Sequence, residues 1–198
     1  MMKNDKDLKV SDVQPAYERK YTVEEYHTWD EGFRAELHEG TLIVMEQPTT
    51  RHQGILMELA AQIHTYLRGK QCKVYPAPFG VRLSMDEESI FEPDIVVVCD
   101  KSIITKRGCI GAPDMVIEIL SPSTARYDKK YKYNKYQAAG VREYWIIDPD
   151  INQLHVNLLK DGSYIGKMYD EKDTTVPVSI LEGFEIDLTD IFIDGEDE

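Results

Sequence analysis

The stretch FEPDIVVVCD (91–100), followed after a loop by APDMVIEILSPSTARYDKKYKYNKYQAAGVREYWIIDPD (112–150), decides the fold of this chain. Two short apolar runs, Ile95 to Cys99 and Met115 to Leu120, are typical of strands that are buried on both faces. Asp94 opens the first run and Glu118 lies inside the second. A carboxylate within such a strand is costly unless a metal, a cation or hydrogen bonds stabilise it. Glu118 therefore marks a candidate site.

The segment after the second run is basic, although the formal net charge of the chain is −13. Ser121-Pro122-Ser123-Thr124 is typical of a helix start, and Gly140 is typical of a helix end. Asp128, Lys132 and Tyr136 are spaced four residues apart, which predicts that they share one helix face. Lys132 is best placed to serve a site at Glu118. Neighbouring lysines that could hold a phosphate backbone are Lys129, Lys130 and Lys135.

Length and composition predict one globular domain. The chain has 198 residues, of which 42% are hydrophobic and 30% are charged. The acidic balance argues against nonspecific coating of nucleic acid, but not against a local basic groove. No apolar run approaches the ~20 residues of a membrane span, and the N-terminus lacks a signal-peptide core. We therefore expect no membrane partner and a cytoplasmic location, where Cys72, Cys99 and Cys109 would be reduced thiols.

The remaining patterns predict an α/β fold, with a mixed central sheet flanked by helices and a β-hairpin added at each end. A capped helix at 21–26 precedes a hairpin around Gly40, and an amphipathic helix spans Gln53 to Arg68. Further strands are expected within 72–83, 144–147, 154–159, 164–169, 176–180 and 186–188. We expect a loose lead-in over 1–20, a single domain over 21–192 and an acidic tail over 193–198.

Asp94 and Glu118 can share one divalent cation if their strands are neighbours. Hard cations such as Mg²⁺ take a few carboxylate oxygens together with water and substrate phosphate, and Mn²⁺ is an alternative. Such a cation polarises a phosphoryl oxygen and makes bound water more acidic. A nearby lysine, for which Lys132 is the candidate, can stabilise charge as it develops.

Other acids and a histidine compete for places at this site. Asp114 has the same strand parity as Glu118 and is the rival of Asp94. Glu36 and Glu39 in the first hairpin are candidate third acids, although a surface carboxylate is the commoner role, and His52 is a candidate substrate contact. The chain has no GxSxG, GxxxxGK[ST], GxGxxG or HExxH motif, so serine-hydrolase, P-loop, dinucleotide and zinc-protease chemistries find no support.

Several motifs together resemble the Uma-type restriction endonuclease family, first catalogued as a domain of unknown function. They are AELHEGTLIVM (35–45), a histidine after a proline-containing turn, EPDIVVV (92–98), PDMVIEILSPST (113–124), D-x-x-x-K-x-x-x-Y (128–136) and GVREYWIIDP (140–149). The family is placed in the PD-(D/E)xK nuclease superfamily. The resemblance covers residues 20 to 190 approximately and implies the restriction-endonuclease-like fold.

The resemblance implies roles at the matched positions. Asp94 matches the PD acid and Glu118 matches the (D/E) acid, both as metal ligands. The lysine position of (D/E)xK is Leu120 here, and Lys132 matches the helix lysine proposed to take over its role. The supporting positions of the family pattern are Glu36, Asp128 and Tyr136.

The function that the resemblance implies is metal-dependent hydrolysis of DNA phosphodiester bonds by an endonuclease, with Mg²⁺ or Mn²⁺ as cofactor. DNA is the expected partner and a homodimer the expected assembly. The alternative is a noncatalytic nuclease-fold protein that binds nucleic acid or protein, which the acidic net charge favours. A third hypothesis is an unrelated hydrolase that uses the carboxylate pair for acid/base work, for example on a sugar.

Overall fold

A computed structural model describes residues 19–29, 34–122 and 124–192. Most of the predicted lead-in and all of the predicted tail lie outside these ranges. The helices are α1 (Val23–Tyr26), α2 (Thr50–Leu67) and α3 (Tyr133–Ala139), with a 3₁₀ turn at Lys101–Ile103 and a π-helical segment at Tyr127–Lys132. The strands are β1 (Ala35–His38), β2 (Thr41–Val44), β3 (Lys73–Pro76), β4 (Gly80–Arg82), β5 (Ile95–Val98), β6 (Gly108–Ile110), β7 (Met115–Ile119), β8 (Glu143–Asp148), β9 (Gln153–Lys160), β10 (Ser163–Asp170), β11 (Thr175–Pro177) and β12 (Glu185–Asp187).

The central element is a six-stranded sheet in the order β10-β9-β8-β7-β5-β3. β7 and β8 run parallel because the π-helical segment and α3 form the crossover between them, whereas the other neighbours run antiparallel. The prediction of a mixed sheet flanked by helices is confirmed. β5 and β7 are neighbours, with Ile95 opposite Ile117, as a cation shared between Asp94 and Glu118 requires.

Side-chain alternation along the central strands creates two apolar layers. On one face, Ile95 and Ile117 pack in a cluster with the apolar residues of α2. On the other face, Val116 packs in a cluster with Tyr136 of α3. Glu118 has the same parity as Val116, so its side chain enters the layer beneath α3. The buried helix face predicted from the four-residue spacing lies directly above it.

The N-terminal hairpin forms as predicted from turn chemistry. β1 and β2 pair antiparallel across the two-residue turn Glu39-Gly40, whose φ values are 49° and 78°. Such a turn requires positive φ at both residues, which glycine adopts without strain. All four residues of β1 are buried, including Glu36 and His38. The hairpin is a separate two-stranded sheet that places a carboxylate inside the protein.

α2 begins earlier than its apolar periodicity predicts. The Thr49 side chain accepts a hydrogen bond from the His52 amide and caps the helix, so Thr50 is already helical. This cap fixes the position of His52 in the first turn. Across the described ranges, no helix combines the length and the apolar character that crossing a bilayer demands.

The loop expected between the two acid-bearing strands contains β6, which pairs parallel with β4. The close approach depends on Gly108, since a Cβ atom there would lie 1.8 Å from the carbonyl oxygen of Gly80. A run as short as Gly108–Ile110 carries no periodicity that would have predicted a strand. The single stretch 72–83 likewise divides into β3 and β4, which belong to different sheets.

The prediction of three reduced thiols is wrong for two of the cysteines. Cys72 and Cys99 form a disulfide bond, whereas Cys109 is a buried free thiol. The cause is the register of the antiparallel strands β3 and β5. Lys73 lies opposite Val98, so Cys72, which precedes Lys73, faces Cys99, which follows Val98. The spacing of the cysteines along the chain carries no signal of this register.

Candidate functional site

A cleft of about 640 Å³ opens between the start of α2, the residues before β5 and the end of β7. Asp94, Glu118, Lys132 and His52 all line this cleft. The structure therefore brings together the two acids, the lysine and the histidine that were singled out from the sequence. Glu36, Asp128 and Tyr136 lie behind the lining and contact Glu118 or Lys132.

Lys132 lies at the centre of a buried cluster of charges. Its Nζ is 2.8 Å from Glu36 Oε1, 3.0 Å from Glu118 Oε1 and 2.9 Å from Asp128 Oδ1. An ammonium group has three N–H donors, so the three carboxylates suffice to engage all of them. The Lys132 side chain is only 2% exposed. Glu118 Oε1 accepts a hydrogen bond from Lys132, and the ion pairs with Glu36 and Asp128 place two further acids around the ammonium group, where they compete with a phosphate.

The π-helical segment brings the two helix members of this cluster inside. Asp128 and Lys132 are each 1% exposed, and Tyr136 of α3 is fully buried. The four-residue spacing predicted the buried face, but Tyr127–Lys132 are π-helical rather than α-helical. π-helical turns are uncommon and frequently occur at functional sites. The helix ends at Gly140, whose φ of 91° confirms the predicted stop.

The pKa values of the cluster respond to burial and to the shared lysine. Burial opposes ionisation of Glu36, but the Lys132 charge and a hydrogen bond from His38 outweigh it and lower the Glu36 pKa to about 2. Burial raises the pKa of Glu118 well above its ordinary range, against the attraction of Lys132, and raises that of Asp128 also. Burial opposes the charge of Lys132, but the three acids raise its pKa well above the ordinary value. Glu36 and Lys132 therefore form the charged pair at the centre of the cluster.

Glu118 uses one carboxylate oxygen for the cluster. Oε1 accepts hydrogen bonds from Lys132 Nζ at 3.0 Å and from the Tyr136 hydroxyl at 3.2 Å. Among the described residues, no hydrogen bond reaches Oε2. Because Glu118 also lines the cleft, Oε2 is the oxygen left for a ligand.

Asp94 is held from two sides. Its Oδ2 accepts a hydrogen bond from the backbone amide of Ile119 at 2.7 Å, which fixes the carboxylate beside the residue that follows Glu118. Its Oδ1 lies 3.2 Å from His52 Nε2. A carboxylate oxygen that accepts one hydrogen bond keeps a further lone pair, so Asp94 can still bind a cation.

The two carboxylates fit a hard divalent cation. Within the parts of the chain that the structure describes, no group of three or more His, Cys, Asp or Glu side chains is arranged to hold a metal. Mg²⁺, however, is usually bound through one or two carboxylates, with water and phosphate oxygens in its other positions. Asp94 and the free Oε2 of Glu118, at one cleft, are such a donor set.

Asp114, the rival of Asp94, does not line the cleft. One of its carboxylate oxygens forms an ion pair with Arg142, and the other accepts a hydrogen bond from the Cys99 amide. Asp114 has the same strand parity as Glu118, but it lies at the end of β7 that is distant from the cleft.

Lysines expected to hold a phosphate backbone are largely paired with acids. Lys129 Nζ lies 3.0 Å from Asp148, and Lys135 Nζ lies 2.7 Å from Glu39 and 3.2 Å from Glu87. These contacts reduce the charge that the helix presents to a polyanion. The basic segment is therefore a weaker nucleic-acid surface than its composition predicts.

Sequence reasoning missed three residues of the site. His38 Nε2 lies 2.7 Å from Glu36 Oε2, and the His38 ring stacks on Tyr131 with centroids 4.9 Å apart. Arg34 and Glu92 line the cleft. A signal for two of them was present: Arg34 and His38 flank Glu36 at a spacing of two, which places same-side neighbours on a strand.

Comparison with known proteins gives one family match. The model of the Uma2 family, described as "Putative restriction endonuclease", matches residues 23–189. The uncharacterized protein slr1290 of Synechocystis sp. is 26% identical over 175 residues, which are 85% of this chain and 90% of that protein. A second uncharacterized Synechocystis protein, sll1609, is 23% identical over 118 residues, which are 58% of this chain and 66% of that protein.

The fold is also found among solved structures. The chain is similar to the crystal structure of "a putative nuclease belonging to DUF820" from Anabaena variabilis, with a TM-score of 0.71 and 24% identity. The similarity covers 86% of this chain and 97% of the other. The fold is therefore restriction-endonuclease-like, as the resemblance implied.

Proposed function

Since this chain belongs to the Uma2 restriction endonuclease family, we propose that it is a metal-dependent endonuclease that hydrolyses DNA phosphodiester bonds. One observation carries the proposal: Asp94 and Glu118 lie on neighbouring segments of the sheet and line one cleft. Two acids so placed can hold a cation that assists phosphodiester hydrolysis, and a buried lysine lies next to them.

The residues of the chain would prepare this site before a substrate enters. Held by Asp94 and Glu118, Mg²⁺ or Mn²⁺ would polarise a phosphoryl oxygen and make a water molecule more acidic. The Ile119 amide and His52 orient Asp94, and Tyr136 and Lys132 engage Oε1 of Glu118. Orientation by such hydrogen bonds tunes how strongly carboxylates bind a metal.

Lys132 contributes charge to the site. Its attraction opposes the rise in the Glu118 pKa that burial causes and favours the ionised carboxylate. Because three acids surround its ammonium group, it can contact a phosphate only if one of these ion pairs opens. If Lys132 stabilises the charge of the transition state, one of its ion pairs must therefore open during the reaction.

Cleavage of plasmid and single-stranded DNA with Mg²⁺ or Mn²⁺ tests the proposal. Cutting that requires metal and is lost in Asp94→Ala and Glu118→Ala supports it. Cutting retained by a folded Lys132→Ala variant would keep the nuclease and exclude the role of the lysine. Wild-type protein that cuts neither substrate and binds no metal would overturn the enzymatic function.

A noncatalytic nuclease-fold protein that binds nucleic acid or protein is the second candidate. The observation in its favour is the set of three carboxylates around Lys132, which compete with a phosphate for the lysine. Calorimetric titration with Mg²⁺ separates the two candidates. Binding by the wild type that Asp94→Ala abolishes favours the enzyme, and the absence of binding favours the second candidate.

We also propose a homodimer, which the family resemblance implies and which would offer two clefts to the two strands of a duplex. Light scattering on the purified chain tests the assembly, because a dimer has twice the 22.8 kDa mass of one chain. A mass equal to that of one chain, measured over a range of protein concentrations, contradicts it.

A further inference from the structure

Arg34 reaches the cleft from the N-terminal hairpin. It directly precedes β1, two residues before Glu36, and lines the cleft together with Asp94 and Glu118. Its carbonyl oxygen accepts a hydrogen bond from the Met45 amide at 3.0 Å, which continues the pairing of the hairpin by one residue. The backbone of Arg34 is therefore fixed, while its half-buried side chain borders the open space.

The guanidinium of Arg34 is available to a ligand. In the described ranges, no hydrogen bond or ion pair engages it. Burial raises the pKa of Glu92, and the nearby charge of Arg34 opposes this rise. Of the lysines and arginines in the described chain, the cleft lining includes only Arg34 and Lys132. Lys132 is already surrounded by three carboxylates. Arg34 is therefore the cation of this lining that has donors to offer.

The cleft needs such a cation if a polyanion is to enter. Its lining includes five acidic side chains, which repel a phosphate backbone where they are ionised: Glu46, Glu92, Asp94, Glu118 and Asp150. A guanidinium has five N–H donors in a planar fork that matches two oxygens of one phosphate. An arginine side chain is also effectively always protonated.

We propose that Arg34 binds the nonbridging oxygens of a DNA phosphate in this cleft, an inference that rests on the proposed nuclease function. Arg34 acts as a substrate-binding residue, and the cation at Asp94 and Glu118 does not depend on it. The hairpin therefore has two tasks: Glu36 pairs with Lys132 inside the protein, and Arg34 contacts DNA at the cleft wall.

The salt dependence of DNA binding tests this role. The full chain is titrated onto a fluorescein-labelled duplex at several NaCl concentrations, with EDTA present so that the duplex stays intact. We expect Arg34→Gln to weaken binding about tenfold and to reduce the slope of log Kd against log salt concentration by about 1. Arg34→Lys keeps the charge and loses the fork, so its slope should match that of the wild type while its affinity falls.

Arg68→Gln is the matched control. Arg68 is an exposed arginine that ends α2, whereas the cleft lies at the beginning of that helix. We expect this variant to bind like the wild type, and equal melting temperatures to show that all variants are folded. Wild-type binding that Arg34→Gln leaves unchanged, or that both glutamine variants weaken equally, overturns the role of Arg34 alone. A wild type that neither binds nor cuts DNA overturns the nuclease function together with it.

Discussion

Lys132 Nζ lies 2.8 Å from Glu36 Oε1, and this buried ion pair joins the π-helical segment to the N-terminal hairpin. The hairpin does not belong to the central sheet. Its residue Leu37 also forms an isolated β-bridge with Ile90, which lies outside the hairpin. The Glu92 amide donates to the same Glu36 oxygen at 2.8 Å. The site therefore depends on a charge contact between two segments that are distant in the sequence.

Replacing Lys132 by methionine removes the cation that all three acids contact. Because uncompensated charges inside a protein are strongly unfavourable, we expect the free energy of unfolding to fall by about 3–5 kcal/mol. Urea denaturation measures the change. The control is Lys130→Met, an exposed lysine on the same segment, which should change stability by no more than about 0.5 kcal/mol. Similar losses in the two variants would contradict the central place of Lys132.

The cost of Lys132→Met should depend on pH. In the wild type, Lys132 adds stability because its pKa is higher in the folded protein than its ordinary value of 10.5. This stability is present at pH values below 10.5 and is lost only as the pH rises through the pKa of the folded state. Without the lysine, burial raises the pKa of each acid. A buried acid with a raised pKa adds stability at pH values below its pKa in the unfolded chain, which is 4.5 for glutamic acid. That stability is lost as the pH rises through the pKa of the acid in the folded protein.

We therefore expect the stability deficit of Lys132→Met, relative to the wild type, to be larger near about pH 8 than near about pH 5. Urea denaturation at both pH values, with EDTA present, gives the two deficits. A deficit that is the same at both, or smaller at the higher pH, would show that the variant loses stability for reasons other than ionised buried acids.

His52 should set the metal affinity of Asp94. Its Nε2 lies 3.2 Å from Asp94 Oδ1, and partners of this kind typically change metal affinity by about 10–100-fold when they are removed. We expect His52→Ala to raise the dissociation constant for Mn²⁺ about tenfold or more in calorimetry. His64→Ala, an exposed histidine on the same helix, is the control and should bind like the wild type. Equal affinities would exclude the orienting role.

The disulfide should be visible in a thiol titration. Denatured protein that has not been reduced should show one reactive thiol, from Cys109, and reduction should raise the number to three. Since the bond closes a loop with a sequence separation of 27, its reduction should lower the free energy of unfolding by about 3–4 kcal/mol. Three reactive thiols before reduction would contradict the bond between Cys72 and Cys99.

Local patterns predicted much of the fold. The cap of the helix at 21–26, the hairpin turn around Gly40 and the apolar runs around Asp94 and Glu118 are all encoded within a few residues. These features depend on helix capping, turn geometry and side-chain alternation, which act over short distances. The acids of the site were identifiable for the same reason.

Contacts between distant segments could not be derived in this way. The pairing of Cys72 with Cys99 depends on the register of β3 and β5, and the strand at Gly108 depends on the backbone at Gly80. The family resemblance pointed to Glu36, but not to its contact with Lys132. That contact changes the chemistry most, since the lysine expected to stabilise developing charge lies at the centre of a carboxylate cluster.

An assay of the relaxation and cutting of a supercoiled plasmid is the most direct test that Asp94 and Glu118 support metal-dependent DNA cleavage. The proteins compared are the wild type, Asp94→Asn, Glu118→Gln and the control Asp114→Asn, which changes an acid that does not line the cleft. We expect cutting that requires Mg²⁺ or Mn²⁺, persists in the Asp114 variant and is lost in the other two. Cutting by Asp94→Asn and Glu118→Gln at the wild-type rate, or wild-type cutting that continues in EDTA, would contradict this expectation.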